Sequence, residues 1–419
     1  MNKFDVIVVG AGPSGMMAAI SAAENGAKVA LIDKNKRVGK KLLLTGGGRC
    51  NVTNRQSVEE IISNVPGNGR FLHSAFTQFS NLDIINFFEQ NGAPLKEEDH
   101  GRMFPVTNKS QTIVDTLSKR LLQLGVNLFS SSTVKKLLVT NNTVIGAETE
   151  TTSFLASSVI LSTGGKAYSS TGSTGDGYLF AQMAGHTITP LYATESALIS
   201  HEKFILDKTL QGISLREVEL SVKNAKGKII VKHRHDLLFT HFGLSGPAAL
   251  RCSSFINKCL EKDGQSVTVL LDNFPKSSSN ELLTDLTKRS KTDKSVKNAF
   301  SGLLQERLLL FLLCQAEISS ELPAKQLNSK QLEIFVSLLK AFPIKIDSTF
   351  PIEKSFVTGG GVSLKEINPK TLESKLTDGL YMTGELLDIN GYTGGYNVTC
   401  AFVTGWVAGF HAAENTKRT

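Results

Sequence analysis

The sequence predicts an α/β fold, a parallel sheet flanked by helices and interrupted by an inserted, mainly β region with a helical cap. Three observations carry that prediction. An apolar strand runs into a G-x-G-x-x-G turn at the N-terminus, a glycine-rich strand-and-helix pattern recurs near the C-terminus, and between them alternating apolar and polar residues give way to helical periodicity.

Phe4 to Val9 is apolar and largely β-branched, broken only by Asp5, and Gly10, Gly12 and Gly15 follow before the small residues Met16 to Ala23. This reads as strand, tight turn and helix. Gly10 permits the turn, Gly12 lets a pyrophosphate approach the backbone, and Gly15 lets helix and strand pack closely. Pro13 and Ser14 belong to the same turn, and the helix N-terminus behind it offers unpaired N–H groups to an anion. A second strand, Lys28 to Ile32, ends at Asp33, at the distance where a carboxylate accepts hydrogen bonds from a ribose hydroxyl. The implied layer is Rossmann-like and its ligand a dinucleotide.

A helical stretch is expected over Phe76 to Asn91, an amphipathic helix over Ser110 to Leu124, and alternating strands over Asn127 to Thr152. They lead to a buried strand at Val159 whose continuation, Thr163, Gly164 and Gly165, must pass close to something or turn sharply. Gly379 to Gly405 reads as a strand (Leu380 to Thr383), a Gly384-Glu385 turn, a loop with Gly391, Gly394 and Gly395, and a small-residue helix. In two-part flavin folds of the glutathione-reductase-like kind, such a segment returns the chain to its first domain. It places Glu385 and Asp388 near ribityl hydroxyls and points a helix N-terminus at the flavin pyrimidine. FAD is therefore the expected dinucleotide.

Between these ends, Thr194 to Asp272 alternates apolar and polar residues around an Asn224-Ala225-Lys226-Gly227 turn, a small β-barrel or sandwich pattern. Lys276 to Leu283 looks like a linker into a capped helix. Asn280 to Leu339 is helical by pattern, with Leu308 to Leu313 too apolar for a free surface helix. The expected organisation is an FAD-binding domain of residues 1–190 with 343–419, an inserted β domain of 191–275 on the substrate side, and a helical subdomain of 276–342.

The chain has 419 residues and a net charge of +8. Residues 191–345 hold 22 Lys and Arg against 16 Asp and Glu, so +6 of that charge lies in the insertion. Lys288, Arg289, Lys291, Lys294 and Lys297 form one cluster, and Lys223, Lys226, Lys228, Lys232 and Arg234 another beside the expected hairpin. A phosphate-rich partner would be drawn there by counterion release, although a charge run is also what an ordinary solvated face carries. Five scattered cysteines without C-x-x-C spacing argue against disulfides and structural zinc, and Cys252, Cys314 and Cys400 read as small core residues. His233 and His235 read as polar surface residues, so no metal is expected; no apolar run approaches the ~18 residues of a membrane span. A cytoplasmic enzyme is the class that remains. Only one strand-linked G-x-G-x-x-G is present, so a nicotinamide, NADH or NADPH, would dock transiently over the flavin.

Lys40 to Asn54 (KKLLLTGGGRCNVTN), Gly101 to Pro105 (GRMFP), Phe239 to Pro247 (FTHFGLSGP), Val357 to Val362 (VTGGGV) and Gly379 to Asn397 together resemble the BaiN-like flavoprotein family. Its members are often labelled NAD(P)/FAD-dependent or aminoacetone oxidase-like proteins. The resemblance runs from Asp5 to about Gly409 and is weakest over Asn280 to Phe342. It implies that Thr45 to Asn54 lies near the flavin ring. Gly47 would allow close approach, Arg49 would stabilise negative charge on the ring or substrate, and Asn51 would hydrogen-bond it. Cys50 would donate a proton or else pack as a buried thiol. His241 would stand where substrate binds, in a catalytic or a structural role. Lys40, Lys41 and Arg37 would serve the FAD phosphates, and Lys34, Gly39, Val134, Tyr396 and Asn397 complete the expected cofactor contacts. The implied activity is reduction of an electron-poor C=C bond at the expense of NAD(P)H. The family includes members associated with ribosomal RNA dihydrouridine and others with steroid ene reduction, and the basic insertion favours ribosomal RNA here. Oxidation of a small amine such as aminoacetone is the alternative.

Overall fold

Val6–Val9 is buried at every position and lies at the centre of a five-stranded sheet ordered Leu380–Met382, Ser158–Leu161, Val6–Val9, Val29–Ile32 and Asn127–Phe129. Every pairing in it is parallel. Continuous apolar runs suit strands covered on both faces, which is why these segments do not alternate. The computed structural model describes residues 2–264 and 266–417, which fall into two units, Met1–Tyr192 with Ile352–Thr419, and Ala193–Pro351.

In the first unit the helix after the glycine turn, Pro13–Glu24, packs along the C-terminal helix, Tyr396–Thr416. Glycine makes this crossing possible. A Cβ added at Gly405 would stand 2.2 Å from the Ser14 carbonyl oxygen, and one at Gly409 would stand 2.2 Å from that of Ala18. Two smaller sheets flank the main one. Val134–Thr140, Thr143–Thr149 and Ser153–Leu155 form a meander that Asn2–Lys3 joins in parallel, and Thr53–Asn54 and Leu95–Glu98 pair with Arg102–Pro105. The helix expected over 76–91 is shorter, Asn81–Gln90, because Ser80 and Asp83 form a capping box that starts it afresh after the turn at His73–Phe76.

The second unit is built on a seven-stranded sheet. It contains the expected hairpin, Ser214–Lys223 with Ile229–Phe239, followed across the sheet by Val267–Asp272 and Phe342–Ile346. Its other edge is Ser348–Thr349, so the two edge strands are separated in the chain by Asp347 alone. Phe342–Ile346 therefore belongs to the insert and not to the flanking domain. The boundary expected at 343 moves to 352, because this strand's buried Phe342, Ile344 and Ile346 face the insert's core. The stretch 276–342 is not a separate body either. Its helices, chiefly Ser279–Arg289, Glu306–Gln315 and Ser329–Ala341, bury Leu286, Leu312 and Phe335 in the same core as Leu220 and Val269 of the sheet.

All five cysteines are free thiols. Cys314 is exposed, contrary to expectation, because Glu306–Gln315 turns Leu308, Leu309, Leu312 and Leu313 inward and leaves residue 314 on its outer side. His233 is half-buried: its ring lies 6.3 Å from that of Phe255, and burial, together with the nearby Arg251 charge, lowers its pKa to about 4. Among the described residues no helix is long and apolar enough to cross a membrane.

Candidate functional site

The glycines of the first unit sort into those that pack and those that do not. Gly10 has φ +102° and no room for a Cβ against the Ser162 carbonyl, and at Gly15 a Cβ would stand 1.8 Å from the Gly10 oxygen. Gly12 differs. Its φ is an ordinary −78° and a Cβ there would meet nothing within 4 Å, so neither strain nor packing inside the protein asks for glycine. Gly47 and Gly48 face open space in the same way. A ligand pressed against the backbone is the physical reason that remains for Gly12, at the start of a helix with Pro13 in its first turn and Ser14 buried. Asp33 supports this turn: its two carboxylate oxygens accept from the Ala11 and Asn35 N–H groups, each at 2.6 Å. Gly39, which donates its N–H to the Ala11 carbonyl, packs on Val114.

The cations expected at the phosphates have other partners. Lys34 pairs with Asp176 at 2.6 Å, Lys40 donates to the Ser170 carbonyl, and Lys41 pairs with Glu385 at 2.8 Å. Arg37 is exposed. Glu385 is in turn the acceptor for the Thr358 N–H at 2.7 Å, and the Thr358 hydroxyl accepts from the Lys166 and Ala167 N–H groups at 2.9 Å. Thr358 thus ties three distant segments together, a role the VTGGGV motif contained but did not reveal. Gly165 lies under this hub, where a Cβ would come 2.4 Å from the Thr358 hydroxyl, and Gly164 takes φ +71° beside Ser173. Thr163 packs on Gly177. Burial, with Glu385 and Asp388 nearby, pushes the Tyr178 phenol well above its ordinary range.

The segment Leu42–Gly48 is a distorted turn with Gly46 and Gly47 in left-handed conformation, followed by Cys50 at φ +61°. Arg49 does not reach freely into the space before Gly47. Its guanidinium pairs with Glu98 at 2.8 Å and lies 4.2 Å from the Phe104 ring centroid. Against the desolvation that opposes it, this pairing holds the Glu98 carboxyl below its ordinary pKa. Cys50 is wholly buried, which pushes its thiol up to about 12. Burial and a raised pKa suit a packing thiol better than a proton donor. Asn51 is buried as well, and its Oδ1 has no hydrogen-bond partner among the described residues. An unpaired buried acceptor is costly unless a ligand supplies the donor.

The C-terminal loop closes on this segment. At Gly395, φ +95°, a Cβ would stand 2.7 Å from the Thr53 carbonyl and 2.9 Å from Asn51 Oδ1, so the N-terminus of Tyr396–Thr416 sits beside the orphaned oxygen. The Gly394 carbonyl accepts from Asn54. Tyr396 and Asn397 have hydrogen-bond partners inside the protein. The Tyr396 hydroxyl donates to Gln56 at 2.7 Å, and the Asn397 amide both accepts from and donates to Gly391. Gly384 packs against the Ser14 side chain, and the Asp388 backbone bonds to Val362 and Asn68. Val134 is a buried first residue of its strand, paired with Thr149. His241, in the second unit, is exposed on the turn between two strands, its ring 5.0 Å from that of Phe242.

The family described as HI0933-like protein Rossmann domain matches residues 4–411. The chain belongs to that family. This HI0933-like chain is 31% identical over 421 residues to the 3-dehydro-bile acid delta(4,6)-reductase of Clostridium scindens, covering 99% of the chain and 100% of that protein. It is 30% identical to the ribosomal RNA dihydrouridine synthase of Escherichia coli, covering 97% of each. Among solved structures, the 3-ketosteroid-delta4-(5alpha)-dehydrogenase of Rhodococcus jostii aligns with a TM-score of 0.55 at 16% identity, over 98% of this chain and 97% of that one. That likeness is one of fold, a Rossmann-like α/β arrangement.

Proposed function

We propose that this protein is an FAD-dependent oxidoreductase that takes hydride from NADH or NADPH and reduces a C=C bond, its substrate being uridine of 23S ribosomal RNA and its product dihydrouridine. What carries the reading is a full-length relationship to a ribosomal RNA dihydrouridine synthase together with an insert whose lysines are in part unpaired. Ion pairs hold Arg289, Lys297, Lys232 and Arg234 to nearby carboxylates, while Lys288, Lys291 and Lys294 have no such partner among the described residues. Such a surface attracts phosphate and repels a small cationic amine, which disfavours an aminoacetone-type substrate.

FAD, when bound, supplies a two-electron hydride carrier. The chain's own part is to hold it: the open face of Gly12 and the helix N-terminus behind it receive pyrophosphate, and Asn51 Oδ1 accepts from the ring. Arg49, fixed by Glu98 and Phe104, keeps positive charge near that ring. With Cys50 sealed in the interior, His241 is the remaining candidate to deliver a proton. The insert reads as a small closed sheet with a helical cap, supported by its two edge strands being separated only by Asp347. The 31% relationship to a bile acid reductase supports a second reading, in which the reduced bond lies in a steroid-like enone.

Deleting the gene in its host, digesting the large-subunit ribosomal RNA to nucleosides and quantifying dihydrouridine by mass spectrometry decides between them. Loss restored by the intact gene but not by Gly12→Val supports RNA reduction. Unchanged dihydrouridine overturns it and directs attention to enone substrates.

A further inference from the structure

Two aromatic rings stand at the solvent side of the Thr358 hub. Tyr168 and Phe356 stack on each other with centroids 5.9 Å apart and planes 16° from parallel, and Phe356 is half exposed. Their mounting is rigid. Tyr168 has φ +56°, a conformation its side chain disfavours, and it is kept there from both sides. Before it, the Ala167 N–H is bound by Thr358 and the Ala167 carbonyl accepts from Lys41; after it, Thr171 donates twice to the Tyr168 carbonyl. Phe356 follows the buried Ser355, whose hydroxyl contacts the Ile352 and Val357 carbonyls. A strained residue and an exposed ring, both held beside the half-buried Lys41–Glu385 pair, mark a place shaped for something outside the protein.

The shape is that of a flat ring with an anion attached. Lys166 sits two residues before Tyr168 in a half-exposed pair with Glu353 at 3.4 Å, weak enough to exchange for a phosphate, and the exposed Lys40 donates to the Ser170 carbonyl two residues beyond Tyr168. Among the described residues this unit shows no second dinucleotide fold, since VTGGGV leads only into the single turn Leu364–Glu366. We propose that Tyr168 and Phe356 are the stacking platform for the planar ring of the nicotinamide reductant, with Lys166 meeting its phosphates. The proposal rests on the reading of this protein as an NAD(P)H-dependent flavoenzyme.

The test is anaerobic stopped-flow reduction of the FAD-loaded protein over a range of NADPH and NADH concentrations, for wild type, Phe356→Ala and Tyr168→Asn, the last because asparagine tolerates the left-handed backbone. Weakening of the apparent nicotinamide Kd by about tenfold, at unchanged FAD content, melting temperature and RNA affinity, supports the platform. Undiminished nicotinamide affinity in both variants overturns the platform and leaves the reductant reading intact, as does a loss confined to RNA affinity. If neither nucleotide reduces the wild-type flavin, the reductant reading falls and the platform with it. A variant that loses FAD is replaced by Phe356→Leu, which keeps bulk and removes the flat face.

Discussion

Asn51 and Cys50 are neighbours in the chain, both buried, and the structure gives them opposite meanings. Asn51 keeps an acceptor that nothing among the described residues satisfies, so Asn51→Ala should leave the FAD-free protein's melting temperature almost unchanged and weaken FAD about five- to tenfold, read by fluorescence titration. Cys50 is saturated by packing. Its thiol is raised to about 12 by burial, and Cys400 likewise, so the folded state binds their protons more tightly than the unfolded state does. Their contribution to stability is complete below pH 9 and is lost as pH rises from 9 towards 12, at about 1.4 kcal/mol per pH unit for each thiol. Urea unfolding under reducing conditions between pH 8 and 10.5 should show that decline, and alkylation at pH 8 should label Cys314 and spare Cys50. The fingerprint residues Gly10, Gly12 and Gly15 were legible because their work is local. Lys34 and Lys41 were not, since Asp176 and Glu385, which hold them, lie 142 and 344 residues away.

Among the elements, the contact between Pro13–Glu24 and Tyr396–Thr416 has no room for a single added methyl at its glycines. Alanine at Gly409 would improve helix propensity by up to about 1 kcal/mol, yet its Cβ would stand 2.2 Å from the Ala18 oxygen, backbone that cannot step aside. Gly409→Ala should therefore lower stability by about 2 kcal/mol net, seen as a lower melting temperature, whereas Gly26→Ala, whose Cβ meets nothing within 4 Å, should show only the smaller strain of its left-handed φ. Periodicity read most elements correctly in kind. What it could not read was allegiance: FPIKI alternates as a strand must, with Phe342, Ile344 and Ile346 buried, but alternation does not say which sheet receives it. The same limit hid Thr358, an ordinary threonine until Glu385 and the 166–167 backbone are brought to it.

At the scale of the whole molecule, basic charge is the feature on which the proposed RNA partner depends. Replacing Lys288, Lys291 and Lys294 together by alanine should weaken binding of a 23S ribosomal RNA fragment and reduce the slope of log K against log salt by up to about 3, leaving FAD content unchanged, as measured by filter binding from 50 to 300 mM salt. The insert that carries them has a hydrophobic core drawn only from its own residues. The unit around it is different: its sheet is completed by Leu380–Met382 on the free side of Ser158–Leu161, and its N-terminal helix is covered by the last helix of the described chain. During synthesis the insert can therefore reach its final form on the ribosome while the older, N-terminal half still waits for a missing strand and helix. Nascent chains stalled with residue 370 just outside the exit tunnel should yield a protease-resistant insert and a digestible nucleotide fold, so that of these two units the one begun earlier becomes functional later.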